Sequence, residues 1–445
     1  MMKKCLSVFP ISIAGALALN GADGSHEASL KGDYPSAPDE PLPKYNNRDY
    51  LFGDWFGLRQ TLYESGIEIN ASYTTEPAWN PVGGVREDAT YLDNFGLSAL
   101  FDLEQLLGIP DTTFFANGSQ RSGDSLTEEG IGSAITAQQI FGGGQTHRLV
   151  ELRMRHMLFQ ERLDLSYGRI STTRDFMASP FYCQFVTNGI CGQPTAPFFN
   201  MPGGLTAYPE VSWGAVARLQ TKNKELYSMF GIYDGDPFPD EHGTDFDLGD
   251  NGVLLVGEIG YRPEEGLLGL PARYSLGAYH HTGDFPNVAT DSVGGNLLAS
   301  GGIPREMSGQ DGYYILVEQM LYRESSSFSR GLQSFFTFVV SPDEEKSPMP
   351  YFLNAGLIYE GLFPGRPNDK AALGMYSLWF SGDLRDAQRG ASQRTQSSET
   401  TVEVNYQVQF TPYTYIRPNV QYIADPNGFS EIDDALVVGV EFGLT

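Results

Sequence analysis

The stretch Glu399-Thr-Thr-Val-Glu-Val-Asn-Tyr-Gln-Val-Gln-Phe410 alternates polar and apolar residues almost without error. Glu399, Thr401, Glu403, Asn405, Gln407 and Gln409 share one parity, and Val402, Val404, Tyr406, Val408 and Phe410 share the other. A period of two is typical of a β-strand with two different faces. Residues 416–422 and 436–444 repeat the pattern. Strands of about ten residues suffice to cross a bilayer when tilted, so the pattern favours a transmembrane β-barrel over a soluble sandwich.

Composition agrees with a large barrel. The chain has 445 residues, of which 41% are hydrophobic and 51 are glycine, and its formal net charge is −26. Loss of Lys3 and Lys4 with a signal peptide takes that charge to −28, which makes nucleic acid an improbable partner. No apolar run beyond the N-terminus reaches the ~18 residues of a membrane helix. The chain is therefore expected to cross a membrane as strands.

The N-terminus predicts export. Residues 1–22 combine a basic start, an apolar stretch and small residues, as in a cleaved signal peptide. Residues 23–52 are rich in Pro, Gly and charge and are predicted to be a periplasmic leader without a core. Residues 53–66 predict a short helix, lying either on the barrel rim or in the periplasmic mouth. Residues 67–445 are predicted to form an all-β, antiparallel barrel of about 16 strands, with long extracellular loops and short periplasmic turns.

Two cysteines remain after signal removal, Cys183 and Cys191. Their presence in an exported chain predicts a disulfide. A metal site is the alternative, but none of the six histidines has ligand spacing with them. We predict no metal and no cofactor.

Several segments resemble one family in collinear order. Gly53-Asp-Trp-Phe-Gly-Leu-Arg59, followed by Glu64-Ser-Gly-Ile67, is similar to the opening of the carbohydrate-selective porins of Gram-negative outer membranes, the OprB type. Leu163-Asp-Leu-Ser-Tyr-Gly-Arg-Ile170, Gly312–Arg323, Gly356–Pro367 and Glu399–Pro426 also match. The chain departs from many outer-membrane barrels because it ends Phe442-Gly-Leu-Thr445, without the terminal aromatic residue that the barrel-assembly machinery reads.

The resemblance implies passive diffusion of mono- and small oligosaccharides through an outer-membrane porin. Sugars, outer-membrane lipid and further copies of this chain in a homo-oligomer are the partners that it implies. A general ion-selective porin is the main alternative, and an anchor, an adhesin or a hydrolase barrel are others. Glu399 and Glu403 could suggest a glycosidase pair, but four positions along a strand span roughly 13 Å, too far for either glycosidase geometry. The sequence has no Gly-x-Ser-x-Gly elbow, no His-Glu-x-x-His and no phosphate-binding glycine loop, so we predict that the protein is not an enzyme.

Strand parity predicts which charged residues line the lumen. Within 147–159, Val150, Leu152 and Met154 take the lipid parity, which turns the charged residues between them inward. The predicted lumen residues are Glu151, Arg153, Arg155, Asp164, Arg169, Glu258, Arg273, Glu318, Glu399, Glu403, Arg417 and Glu441. Opposed charges would set up a transverse field, and arginine donors with carboxylate acceptors suit neutral polyols. Local pairing or simple solvation is the alternative for each residue.

Two features of the lumen are special cases. Parity alone would turn Arg169 toward lipid, where a charge near the midplane costs ~2–4 kcal/mol, so we expect a strand irregularity near Gly168 that turns Arg169 to the lumen or a loop. The segment 172–210 is the best candidate for a loop folded into the pore. Its aromatic residues Phe181, Tyr182, Phe185, Phe198 and Phe199 are expected mostly to pack against the wall, with one or two lining the path.

Overall fold

The structure is a computed structural model that describes residues 50–192, 194–201, 204–236, 242–324 and 330–445. The predicted signal peptide 1–22 and residues 23–49 of the predicted leader lie outside the described residues.

One antiparallel sheet contains all the described strands and closes on itself. The strands are β1 Ile67–Thr75, β2 Ala78–Gly84, β3 Asp88–Thr90, β4 Leu92–Asp102, β5 Thr112–Gly123, β6 His147–Leu158, β7 Leu163–Ile170, β8 Ser212–Gln220, β9 Leu226–Asp234, β10 Val253–Tyr261, β11 Ala272–Asp291, β12 Pro304–Arg323, β13 Gly331–Val340, β14 Tyr351–Glu360, β15 Lys370–Trp379, β16 Ser398–Thr411, β17 Thr414–Ala424 and β18 Asp433–Leu444.

The barrel closes where the last strand meets the first. Tyr73 of β1 pairs with Leu444 of β18, and β1 pairs with β4 on its other side. The short strands β2 and β3 form a hairpin that extends this seam, with β2 also pairing with β18. The wall therefore consists of β1 and β4–β18, which confirms the predicted barrel of 16 strands.

The strands face two environments, as their alternation predicts. Along β18, the side chains of Ala435, Val437 and Glu441 are fully buried, while Val438 and Val440 lie on the exposed outer face. An outer face of this kind runs round the barrel and forms an apolar belt suited to lipid. No helix in the part of the chain that the structure describes is long and apolar enough to cross a membrane.

The two ends of the barrel differ. One end carries short connections such as 159–162, 221–225 and 412–413, and we call it the turn end. The opposite end, the loop end, carries the connections 124–146, 171–211 and 380–397. The short helices are α1 Leu58–Glu64, α2 Leu103–Leu107, α3 Thr172–Asp175, α4 Asn188–Cys191, α5 Ala196–Asn200, α6 Leu297–Ser300 and α7 Gly382–Gly390.

Helix α1 lies at the turn end beside the seam. It begins at Leu58 because Trp55 and Phe56 adopt positive φ angles of 49° and 61°, which no α-helix accommodates. The Arg59 guanidinium stacks on the rings of Tyr50 and Trp55, 3.7 and 4.3 Å from their centroids. The Tyr50 hydroxyl donates to Glu68 Oε1 on β1 at 3.3 Å. These contacts hold the N-terminal segment against the barrel rim.

Candidate functional site

The 171–211 loop folds into the barrel, as the sequence predicts. Its buried residues Phe176, Met177, Phe185, Phe198 and Met201 join one apolar cluster with the inward side chains of β8–β15. Phe185 contacts Phe335 with ring centroids 5.8 Å apart, and the Tyr182 hydroxyl lies 2.5 Å from Thr337 Oγ1. All five aromatic residues predicted for this loop pack in or against the cluster. They attach the loop to one side of the barrel interior.

The structure joins Cys183 and Cys191 by a disulfide within this loop. The bridge closes the short segment that carries Phe185 and ends with helix α4. Gly189 of α4 fits so tightly against β15 that an added Cβ would lie 2.1 Å from the Tyr376 ring.

A second loop, 124–146, also folds inward and was missed by the sequence analysis. Its Ile131 and Ala137 pack with Ile423 and Val437 from the wall. Ala137 O accepts from Gln421 Nε2 at 2.8 Å, and the two inward loops meet where Asn188 N donates to Thr136 O at 3.0 Å. Little in the sequence indicates that this loop folds inward, because the loop has no alternation of polar and apolar residues and few aromatic residues.

The central charged group lies where β6 and β7 meet the start of the 171–211 loop. Arg153 binds Asp175 of α3 through two hydrogen bonds of 3.1 and 2.8 Å and binds Glu151 at 2.9 Å. Glu151 also pairs with Arg174 of α3. We call these four residues, together with the Arg155 and Asp164 pair beside them, the constriction cluster. Arg155 binds Asp164 through hydrogen bonds of 3.0 and 2.8 Å.

A β-bulge in β6 sets the direction of these side chains. Ala116 of β5 pairs with Leu152 of β6, whereas Gly118, two residues on, pairs with Leu149, three residues back. The extra residue in β6 reverses the parity, as bulges do. Val150, predicted to face lipid, is therefore fully buried next to Glu151, and that prediction was wrong. Beyond the bulge, Arg153 and Arg155 face inward as predicted.

Sequence reasoning missed Arg174 and Asp175. Both follow β7 directly, in the loop that was predicted to fold inward. The sequence does show two charged residues directly after Thr172 and Thr173. Their binding partners on β6, however, could be identified only from the structure. The Arg174 guanidinium also lies over the Phe115 ring, 5.1 Å from its centroid.

A second charged network joins β10, β11 and β12. Arg273 binds Glu258 at 3.0 Å and Glu318 at 3.3 Å, and it donates to the carbonyl of Ala178 in the 171–211 loop at 2.8 Å. Tyr227 and Tyr314 donate to the two oxygens of Glu258. The three predicted residues face the interior, but they lie beneath the loop and hold it in place.

The carboxylates of β16 and β18 hold the two inward loops. Glu399 accepts from Ala134 N at 2.7 Å, and Glu403 accepts from Val186 N at 2.9 Å and Thr187 N at 2.7 Å. Glu441 accepts from the side chain of Gln139 at 2.9 Å and pairs with Arg417 at 3.0 Å. Local pairing, the alternative considered from the sequence, describes Arg417 and Glu441, whereas Glu399 and Glu403 bind the backbone of distant loops.

Arg169 does not face the lumen, so its place among the lumen residues was wrong, and it turns instead to a loop, the other position expected for it. Strand register pairs Arg169 with Leu152 and with Trp213, which places all three on the outer face. The loop that contains Gly243 and Phe246 covers this outward-facing charge. Arg169 donates to Gly243 O, and its guanidinium lies 4.8 Å from the Phe246 ring centroid. Gly168, with a φ of 136°, lets the strand approach Leu152 O, where a Cβ would lie at 2.1 Å.

Exposure separates the charged residues that a solute can reach from those that hold loops. In the constriction cluster, the side chains of Arg174, Asp175 and Asp164 are 16%, 11% and 11% exposed. The side chains of Glu258 and Glu441 are 0% exposed. Within the cluster, the side chains of Arg153 and Glu151 are only 2% and 4% exposed, so its accessible side chains are those of Arg174, Asp175, Asp164 and Arg155. Among the described residues, no group of three or more His, Cys, Asp or Glu is arranged to hold a metal ion.

Taken together, the closed 16-strand barrel, its apolar belt and its inward loops define the chain as a channel of the porin class. The profile described as "Carbohydrate-selective porin, OprB family" matches residues 86–445, and the chain belongs to that family. This confirms the resemblance found in the sequence. The family is one of channels, and its fold places the barrel in a Gram-negative outer membrane.

Individual porins are similar to this chain over most of their length. Porin B of Pseudomonas aeruginosa is 30% identical over 418 residues, covering 89% of this chain and 91% of that protein. The high-pH structure of Pseudomonas putida OprB is 26% identical, covers 91% of this chain and 100% of that one, and superposes with a TM-score of 0.83. OmpF of Salmonella typhi, at 10% identity, 86% and 99% coverage and a TM-score of 0.51, resembles this chain in fold alone.

Proposed function

We propose that mono- and small oligosaccharides diffuse passively through this barrel and make their closest contacts at the constriction cluster. The observation that supports this most is the position of paired arginine and carboxylate side chains at the partly exposed place between β6, β7 and α3. Arginine offers several donors in a rigid fork, and carboxylates accept from hydroxyl groups. A sugar can exchange water for these groups without being chemically changed.

Liposome swelling tests this proposal. Refolded protein in liposomes should admit glucose and maltose faster than an uncharged polyol of similar size, such as a linear hexitol. The double variant Arg153→Ala with Arg155→Ala should admit all three faster and with less difference between them, because removal of two side chains widens the path. Equal rates for sugars and polyol in the native protein would favour a general porin instead.

The same proposal assigns the segments of the chain to the two sides of the membrane. We infer that residues 1–22 are removed on export, that 23–52 and the helical segment 53–66 lie on the periplasmic side, and that 67–445 form the barrel domain, with the loop end outside the cell. N-terminal sequencing of the mature protein from membranes tests the first point: a start near Ala22 or Asp23 supports it, and a start at Met1 contradicts it.

We also propose that transport needs no catalysis and no cofactor, which is consistent with a family of channels. Incubation of the purified protein with maltose should leave the disaccharide intact, whereas release of glucose would support the hydrolase alternative. The barrel-assembly machinery and a second copy of this chain are further proposed partners. Chemical crosslinking in intact membranes, followed by mass determination, tests both.

A further inference from the structure

One aromatic residue of the 171–211 loop differs from the others. Tyr208 is partly exposed and lies outside the apolar cluster, whereas the remaining aromatic residues of this loop pack in or against that cluster. The sequence analysis did not single out Tyr208, because it lies near the end of the loop, apart from the aromatic residues between 176 and 199. The packing role of the other rings therefore does not explain Tyr208.

The ring of Tyr208 lies against the inner face of β5. The guanidinium carbon of Arg121 is 5.6 Å from the ring centroid, and the Tyr208 hydroxyl lies close to the side chains of Ser119 and Asn117. Asn117 Oδ1 in turn accepts from Glu151 N at 3.0 Å. The hydroxyl end of Tyr208 therefore points toward the constriction cluster, of which Glu151 is a member.

Strand geometry places this ring on the loop-end side of the constriction cluster. Strand β5 runs from the turn end to the 124–146 loop, so Arg121 lies nearer the loop end than Asn117 does. The two residues are four positions apart, which corresponds to roughly 13 Å along a strand. A solute that enters at the loop end therefore passes the level of Tyr208 before it reaches the constriction cluster.

Both inward loops hold the ring in place. Arg121, which is 1% exposed, donates through Nη1 to Gly142 O of the 124–146 loop at 2.6 Å. Pro209, next to Tyr208, packs so tightly against the same loop that an added Cβ on Gly143 would lie 2.5 Å from Pro209 Cγ. A ring that is already held in one orientation binds a ligand at a lower entropic cost than a ring that must be ordered on binding.

From this arrangement we infer that Tyr208 is a specificity-determining residue, whose exposed ring surface takes the apolar face of a pyranose. This inference rests on the proposed function, since it assigns a contact to a sugar on the same path. One face of a pyranose presents mainly C–H groups, which can pack on an aromatic ring. The sugar hydroxyl groups then remain available to the partly exposed side chains of Arg174 and Asp175. A linear polyol has no flat apolar face, so the ring discriminates cyclic sugars from open-chain polyols of the same size.

Current block by glucose and by a linear hexitol, measured for single channels in a planar bilayer, tests this role of Tyr208. Tyr208→Leu should raise the glucose concentration for half-maximal block by about fivefold, because one aromatic contact is lost, and should change hexitol block by less. Tyr208→Phe keeps the ring and should be blocked by glucose as the native channel is. Should Tyr208→Leu not form channels, Tyr208→Met makes the same test, since methionine adapts to irregular space.

Phe199→Leu is the matched control. Phe199 is a partly exposed aromatic residue of the same loop, but it packs against the apolar cluster. Its replacement should leave the glucose concentration for half-maximal block unchanged.

The outcomes separate this inference from the proposed function. Unchanged glucose block in Tyr208→Leu, an equal loss of glucose and hexitol block, or an equal shift in Phe199→Leu would overturn the inference and leave sugar diffusion intact. A loss of glucose block in Tyr208→Phe as large as in Tyr208→Leu would also overturn it, because the hydroxyl and not the ring would then make the contact. Failure of every sugar to block or permeate the native channel would instead contradict the proposed function itself.

Discussion

At the scale of single residues, the constriction cluster shows how the alternation of side chains along a strand places charged groups inside the barrel. Alternation turned Arg153 and Arg155 inward, and the neighbouring strand and α3 supplied the carboxylates that neutralise them. A buried ion pair that loses one partner leaves an uncompensated charge, which costs several kcal/mol. These ion pairs therefore stabilise the wall of the path, and they also present polar groups to a solute.

Replacement of Arg155 tests the contribution of this wall. Arg155→Ala should raise single-channel conductance, since it removes a long side chain from the lumen, and should destabilise the barrel by about 3 kcal/mol because Asp164 loses the guanidinium that binds it. Conductance in a planar bilayer and unfolding in urea measure the two effects. Lys224→Ala is the control, because Lys224 pairs with Glu161 in an exposed turn between strands of the same region. If both variants conduct like the native protein, Arg155 does not line the path.

Glu210, at the end of the 171–211 loop, gives the charge of the barrel interior a dependence on pH. Burial raises the pKa of Glu210 above its ordinary value, against the opposing influence of Arg148 and Arg121. The carboxylate therefore gains its proton at a higher pH than an exposed glutamate, and the negative charge beside Arg148 and Arg121 is lost as the pH falls through that raised pKa. The permeability ratio of chloride to potassium should accordingly rise on acidification from pH 7. Reversal potentials of native protein and Glu210→Gln measure this, and an equal rise in both would show that another group is responsible.

At the scale of elements, the sequence predicted strands better than it predicted what covers them. The alternation in β16–β18 identified both faces correctly, because side chains on a strand alternate by geometry alone. It could not show that Glu399 and Glu403 are covered by the backbone of two distant loops. The sequence also did not show the bulge that buries Val150 or the loop that covers Arg169, because both depend on contacts with other parts of the chain.

The loops carried less sequence signal than the strands. The 171–211 loop was recognisable from its aromatic residues and its cysteines. The 124–146 loop was not, because its inward position depends on a few hydrogen bonds such as Gln139 to Glu441. Strands β11 and β12 also lose the simple alternation beyond residue 283, where they pair through an irregular register.

Gly189 tests whether the 171–211 loop narrows the path. Gly189→Ala should displace α4 from β15, because its Cβ would lie within 2.5 Å of three Tyr376 ring atoms. A displaced loop should change the single-channel conductance and increase cleavage of the loop by added protease. Gly257→Ala is the control, as its Cβ would meet nothing closer than 4.0 Å. Unaltered conductance and protease resistance in Gly189→Ala would contradict a tight fit of the loop against the wall.

Glu403 tests the polar attachment of the same loop. Glu403→Ala should leave the backbone amides of Val186 and Thr187 without an acceptor, at a cost of about 1–3 kcal/mol for each buried donor. Hydrogen exchange of these two amides should become faster, while exchange in β5 should be unchanged. Equal protection in variant and native protein would mean that Glu403 is not what holds the loop.

At the scale of the whole molecule, the barrel combines a sealed wall with an asymmetric interior. The 171–211 loop fills the apolar side, the 124–146 loop covers the acidic side, and the partly exposed charged groups remain along β6–β8. This asymmetry follows from the sequence of inward residues on successive strands. It separates the paired charges along β6–β8 from the covered carboxylates of β16 and β18.

The central claim is that a sugar enters this barrel and binds reversibly within it, and single-channel current through the refolded protein tests this most directly. Glucose added on one side of the bilayer should reduce the ion current in a manner that saturates with concentration, and a linear hexitol of similar size should reduce it less. A steady current that is indifferent to glucose at every concentration would contradict the claim.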